Sequence, residues 1–162
     1  MFEELLNLRC LWRSSLIGTI ALVSLSACAP APPISNKSAV TELLDLHNHY
    51  RENGAPCMTQ GGLPTLKLNP ILTQVAAAQA QRMAKEKRLK HGDQLGTRMS
   101  HAGYEYKLAA ENIAFTLASG EPLIQLWLNS DRHCDNIMNT SLTDVGIASQ
   151  DDYWAVILAS PK

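Results

Sequence analysis

Near its C-terminal end the chain reads Tyr153-Trp154-Ala155-Val156-Ile157-Leu158-Ala159, a run with no charged or amide side chain in it. Successive residues of a strand point to opposite faces, so a strand with this pattern must be covered on both sides. Val145 to Ser149 precede it, with Asp151-Asp152 between, which predicts a closing hairpin with the two aspartates as its turn. The rest of the chain therefore has to supply two layers of cover.

Helical patterns provide them. Val40, Leu43, Leu44, His47 and Tyr50 follow helical spacing, and Gly54 is a natural stop. Asn69 as N-cap and Pro70 in the first turn open a second helix, predicted to run through Leu72, Val75, Ala76 and Met83 to about Leu89. Its alanines between Ala76 and Ala80 suit close packing on a flat surface. Lys85 to Lys90 form a solvated basic last turn, favourable at a helix C-terminus. Residues 98–104 predict a short helical turn ended by Gly103, and 111–116 a short strand. A further helix starts near Ser119, with a break at Ser130. With 46% hydrophobic and 18% charged residues, the 162-residue chain has material for one core-bearing domain. A net charge of −1 excludes a basic field for nucleic acid.

Residues 1–27 read as an export signal. Arg9 and Arg13 precede an apolar run from Leu16 to Leu25, far short of the roughly 20 residues needed to cross a bilayer. Leu25-Ser26-Ala27-Cys28 resembles a bacterial lipobox, which implies lipidation at Cys28. Residues 28–37 are a Pro-rich tether, and the domain is expected over 38–162. The protein is thus expected at the cell envelope, on the periplasmic side, bound to a membrane through Cys28. Ala29 after the Cys points to the outer membrane. The alternative is a secreted protein cleaved near Ala29 or Ala31. A monomer is expected.

Cys10 lies in the segment to be removed, and Cys28 would be lipidated. Cys57 and Cys134 then remain as one pair in an oxidising compartment, where they are expected to form a disulfide. The competing reading makes Cys134 a nucleophile beside His133, which requires a thiolate and leaves Cys57 alone.

Trp127 to Met138, WLNSDRHCDNIM, packs a large aromatic, a hydroxyl, a histidine and a cysteine together. On a continuous helix Trp127, Ser130, Cys134 and Met138 would share one side, with His133 beside them. A lone histidine is more often a hydrogen-bonded structural group than a catalyst, so partners decide its role. His47 and His49 read as structural or surface groups, His101 as outside any site, and Asp151-Asp152 as a turn rather than an acid–base pair.

LHNHYRENG, LKLNPILTQVAAAQAQRMA, the His91 position, RMSHAGY, AENIAF, WLNSDRHCDNIM, TDVGIAS and YWAV follow one another over residues 40–158. In that order they resemble the CAP superfamily of cysteine-rich secretory proteins, antigen 5 and pathogenesis-related class 1 proteins, in its bacterial SCP-domain branch. The resemblance implies an α+β fold: a three-layer α/β/α sandwich with a small antiparallel sheet between helices. It also implies a cleft in which His91, Glu111 and His133 match the family's tetrad, with Ser130 where eukaryotic members carry a second Glu. Imidazoles and a carboxylate suit Zn or another divalent cation, so His91, Glu111 and His133 are the candidate metal set, weakened by the missing acid. No cofactor is required.

The residues and the resemblance together favour a non-enzymatic module whose cleft binds a divalent cation or a small amphiphilic, partly hydrophobic ligand. The alternative is a hydrolase with Ser130 as nucleophile, His133 as base and Glu111 as orienter, or one using a metal held by His91, Glu111 and His133. Ser130 lies on no strained elbow and has no Gly-rich oxyanion segment beside it. A hydrogen-bonded polar network, with Asn112, Ser130 and Asn136 satisfying backbone groups, uses the same residues.

Overall fold

A strand apolar on both faces belongs inside a sheet, and Tyr153–Pro161 lies there, hydrogen-bonded to a neighbour on each side. The computed structural model describes residues 37–162; the expected signal segment, Cys10, Cys28, Ala29 and the expected tether up to residue 36 lie outside the described residues. In chain order the elements are α1 (Lys37–Asn53), β1 (Lys67–Leu68), α2 (Pro70–Glu86), α3 (Leu95–His101), β2 (Tyr106–Phe115), α4 (Gly120–Leu128), α5 (Asp131–Met138), β3 (Asp144–Gln150) and β4 (Tyr153–Pro161).

The sheet order is β1-β3-β4-β2, which leaves β2 on an edge. β4 runs antiparallel to both β2 and β3, whereas β1 pairs parallel with β3. The sheet is therefore mixed rather than purely antiparallel. The added strand was hidden because Lys67-Leu68 is two exposed residues in a stretch that reads as loop. β2 starts five residues before Glu111, since its exposed first half is held by pairing with β4 rather than by its own pattern.

Alternation along β4 divides the interior into two cores. Trp154, Val156 and Leu158 pack with Leu43 of α1, Ile124 and Trp127 of α4 and Ile137 of α5. Ala155, Ile157 and Ala159 pack with Leu72, Ala76, Ala80 and Met83 of α2 and Met99 of α3. Small residues on that second face let α2 approach closely. A Cβ added to Gly146 of β3 would stand 2.0 Å from the backbone of Leu72, so the helix and the sheet touch there through bare backbone.

Local chemistry sets the element ends. Asn69 accepts from the amides of Ile71 and Leu72, and Pro70 occupies the first turn of α2. Gly54, at φ 93°, follows α1. Asp151 and Asp152 both have positive φ, 46° and 65°, as a two-residue hairpin turn of the twisted kind demands. The second helix stops at Glu86, before Leu89, because Lys87 turns left-handed and its amide bonds back to the Ala84 carbonyl.

Cys57 and Cys134 are joined, with a Cα–Cα distance of 6.1 Å. The bond ties the loop after α1 to α5 and removes any thiolate role for Cys134. Closing a loop of 77 residues in separation stabilises by roughly 4.5 kcal/mol in the chain-entropy view. Beside it, Arg51 is fully buried and donates to the carbonyls of Pro64, Ile137, Asn139 and Leu142. The described residues 37–162 lie in one compact unit. Both cores, the disulfide and every strand pairing lie inside it, so this unit holds what it needs to fold by itself.

Candidate functional site

Adjacent residues of β2 face opposite layers, and the site is built on that alternation. Glu111 points toward α2 and α3, and Asn112 toward α5. Just after α2, His91 lies in the loop, and its Nδ1 is 2.9 Å from Glu111 Oε1. The Gly92 amide donates to the same oxygen at 3.0 Å. Arg98 of α3 donates to Glu111 Oε2 at 2.8 Å. The Glu111 side chain is only 5% exposed, so both of its oxygens are committed inside the fold.

On the other side, Asn112 donates to the His133 carbonyl at 3.0 Å and accepts from Asn136 at 2.8 Å. That pair fixes the start of α5 against the edge strand. Ser130 is the N-cap residue of α5, yet its side chain makes no cap bond. Its hydroxyl instead lies 3.0 Å from His133 Nδ1. The helix breaks between α4 and α5, so Trp127 and Cys134 are on separate elements. Trp127 is buried and donates its indole N–H to the Ile113 carbonyl.

The two histidines meet across the gap, with ring centroids 6.4 Å apart and planes inclined by 27°. They share a cleft of about 440 Å³ with Glu111, Arg132, Asp135 and Asn136. Burial first, then the charges of His91 and Arg132, hold the His133 imidazole below its ordinary value. His91, Glu111, Ser130 and His133 thus come together, as the sequence predicts. His101 stands apart on α3, and His47 is a core residue bonded to the Leu43 carbonyl.

The roles within the cluster differ from the expected ones. Glu111 is engaged by His91, Gly92 and Arg98, and no hydrogen bond joins it to His133 among the described residues. The serine–histidine–glutamate relay is therefore not assembled. Nor is Glu111 a free metal ligand. Among the described residues, no group of three or more His, Cys, Asp or Glu side chains is placed to hold a metal ion. Glu111 fits a supporting position instead: a carboxylate that accepts the imidazole Nδ1–H fixes the tautomer and leaves Nε2 as the donor. When Ser130 accepts from His133 in the same way, the second Nε2 is freed too. A divalent cation would find two imidazole donors here, with its other positions left to water or to a ligand.

Arg98 is the residue of this cluster that sequence reasoning missed. It sits in a short turn whose spacing carries no signal, and its partner lies across the layer on β2. Gln79, buried on α2, supports it: the Gln79 side-chain oxygen faces Arg98 and Arg82, and its amide donates to the Lys90 carbonyl at 2.8 Å. That bond holds the loop carrying His91.

The three-layer α+β arrangement is the one that solved SCP-domain structures adopt. An extracellular SCP-domain protein from Bacillus anthracis superposes with a TM-score of 0.67 at 25% identity, over 75% of this chain and 40% of that one. An outer surface protein of Borrelia burgdorferi gives a TM-score of 0.69 at 19% identity, over 81% of this chain and 98% of that one. The family profile described as CAP, cysteine-rich secretory protein family, matches residues 44–156. The chain belongs to that family. YkwD of Bacillus subtilis is 32% identical over 90 residues, covering 53% of this chain and 35% of that protein. The chain spans about a third of the length of the curated relatives it matches. No helix among the described residues is long and apolar enough to cross a membrane.

Proposed function

We propose that this is an exported, envelope-tethered binding domain without catalytic activity. Its cleft takes a divalent cation, or the polar head of a small amphiphile, between His91 and His133. One observation carries the reading. Both imidazoles have Nδ1 engaged, His91 by Glu111 and His133 by Ser130, so Nε2 is the ring atom left on each. A cleft that leaves Nε2 open on two imidazoles, with no assembled relay, suits binding better than bond cleavage. The export signal and Cys28 support an envelope location, as do the extracellular and outer-surface descriptions of the similar structures. With two protein donors, affinity for a bare ion should be weak.

Calorimetric titration of Zn²⁺ into residues 32–162 tests it. Binding should be measurable at pH 7.5 and fall at pH 5.5, since ligation requires neutral imidazoles whose ordinary value is about 6.5. Glu111→Gln should weaken it by roughly 10-fold or more through loss of the supporting carboxylate. Undiminished affinity in His91→Ala would place the ion elsewhere and refute the assignment.

A further inference from the structure

The net charge of −1 conceals a strong asymmetry between the two helical layers. From Pro70 to Ala102 the chain carries Arg82, Lys85, Lys87, Arg88, Lys90 and Arg98 against Glu86 and Asp93. Helices α1, α4 and α5 on the opposite face carry twice as many carboxylates as cations: Glu42, Asp45, Glu52, Glu121, Asp131 and Asp135 against Lys37, Arg51 and Arg132. The positive charge concentrates where α2 ends. All of Lys85 to Lys90 is exposed, and no ion pair reaches Lys85, Lys87 or Arg88 among the described residues. Leu89 sits among these cations and is 48% exposed.

This segment is held rigidly. Lys87 is left-handed, at φ 48°, where glycine is the usual residue. The Lys87 amide bonds to the Ala84 carbonyl and the Arg88 amide to that of Met83. Beyond Leu89, the Lys90 carbonyl accepts from Gln79 and Arg82, each at 2.8 Å. The turn is thus tied down on both sides of an unpaired Lys-Arg-Leu tip. The left-handed lysine is what ends the helix, but a merely solvated end has no use for an apolar residue held between cations.

We propose that the Lys85–Lys90 tip docks the domain on an anionic phospholipid surface, independently of any lipid anchor. The cations answer headgroup phosphates, and Leu89 enters the boundary between headgroups and acyl chains. A soluble polyanion would satisfy the charges but offers no apolar phase for Leu89. Because His91 follows Lys90 directly, docking would bring the rim of the histidine cleft to the membrane surface.

The test is co-sedimentation of residues 32–162 with vesicles of phosphatidylglycerol and phosphatidylethanolamine, against vesicles of phosphatidylcholine alone. Binding is expected to the first only, and to vanish in 0.5 M salt (a probe condition at which the Debye length is about 4 Å). Lys87→Gln with Arg88→Gln should lower the partition coefficient about 25-fold, at about fivefold per cation. Leu89→Ser should weaken vesicle binding while leaving retention on dextran sulfate unchanged. All substituted side chains are exposed, so thermal melts should match the parent protein. Absence of binding to the anionic vesicles overturns the proposal, as does parental binding by the double variant. Undiminished vesicle binding by Leu89→Ser would show a site that reads charge alone, and would also overturn it.

Discussion

Replacing Arg51 by Met should destabilise the domain severely, although Arg51 is remote from the cleft. Its guanidinium is fully buried and pairs with no carboxylate among the described residues. Nε donates to Pro64 at 2.7 Å, Nη1 to Ile137 at 2.7 Å and to Asn139 at 2.9 Å, and Nη2 to Leu142 at 3.1 Å. Two of those acceptors are carbonyls at the end of α5, where a cation also suits the helix dipole. Four bonds from a charged donor, at ~1.5 kcal/mol each, contribute about 6 kcal/mol. Desolvating the cation costs several kcal/mol; taking ~3 kcal/mol leaves a net loss of about 3 kcal/mol in Arg51→Met. At ~4 °C per kcal/mol for a domain of this size, the melting temperature should fall by about 12 °C. Urea unfolding of the oxidised domain should show a lower midpoint with an unchanged slope. Arg51→Lys should rescue little, because a compact ammonium cannot span four acceptors as the planar fork does. The exposed pair Lys162–Glu105 provides the contrast, since Lys162→Met should change stability by less than ~0.5 kcal/mol. A loss below ~1 kcal/mol in Arg51→Met, or full rescue by lysine, would refute this account.

Two further predictions concern pH and anchoring. Burial above all, with the nearby Arg51 charge adding to it, lowers His47 to about 4 despite its bond to the Leu43 carbonyl. The unfolded chain therefore binds the proton first, and stability should fall as pH drops from ~6.5 to ~4, by up to about 3 kcal/mol, then level off. His47→Gln should remove that part of the slope; denaturation midpoints of both proteins across pH 3.5 to 7.5 should differ in slope (a range set by the assay, about the interval named above), and parallel curves would rule the assignment out. If Cys28 carries the anchor, Cys28→Ser should leave the protein unprocessed or release it from membranes, read by fractionation and intact mass. Recovery of the wild-type protein as a soluble, unmodified species would exclude the anchor.

Much of the architecture was legible because it follows from local rules. The uninterrupted apolar run at Tyr153–Ala159 demanded cover on two faces, and the structure supplies it with separate cores above and below β4. Asn69-Pro70, Gly54 and the Asp151-Asp152 turn marked ends through backbone chemistry that acts within a few residues. Cysteine counting predicted the Cys57–Cys134 bond, and the motifs marked His91, Glu111 and His133, which line one cleft, with Ser130 against His133.

Tertiary structure decided how those residues are used. Glu111 reads from its motif as a metal ligand or a relay member. Its oxygens are instead taken by His91, Gly92 and by Arg98 from another helix. The two-residue β1 is a strand only because β3 lies beside it. Arg51 reads as an ordinary helix-end cation, but folding encloses it among carbonyls of Pro64 and of the stretch from Ile137 to Leu142. Apolar periodicity and cap chemistry are local, so the sequence alone determines the layers and most element ends. A carboxylate's or a guanidinium's role depends on which partner reaches it first across the fold, and that competition is settled only when the layers pack.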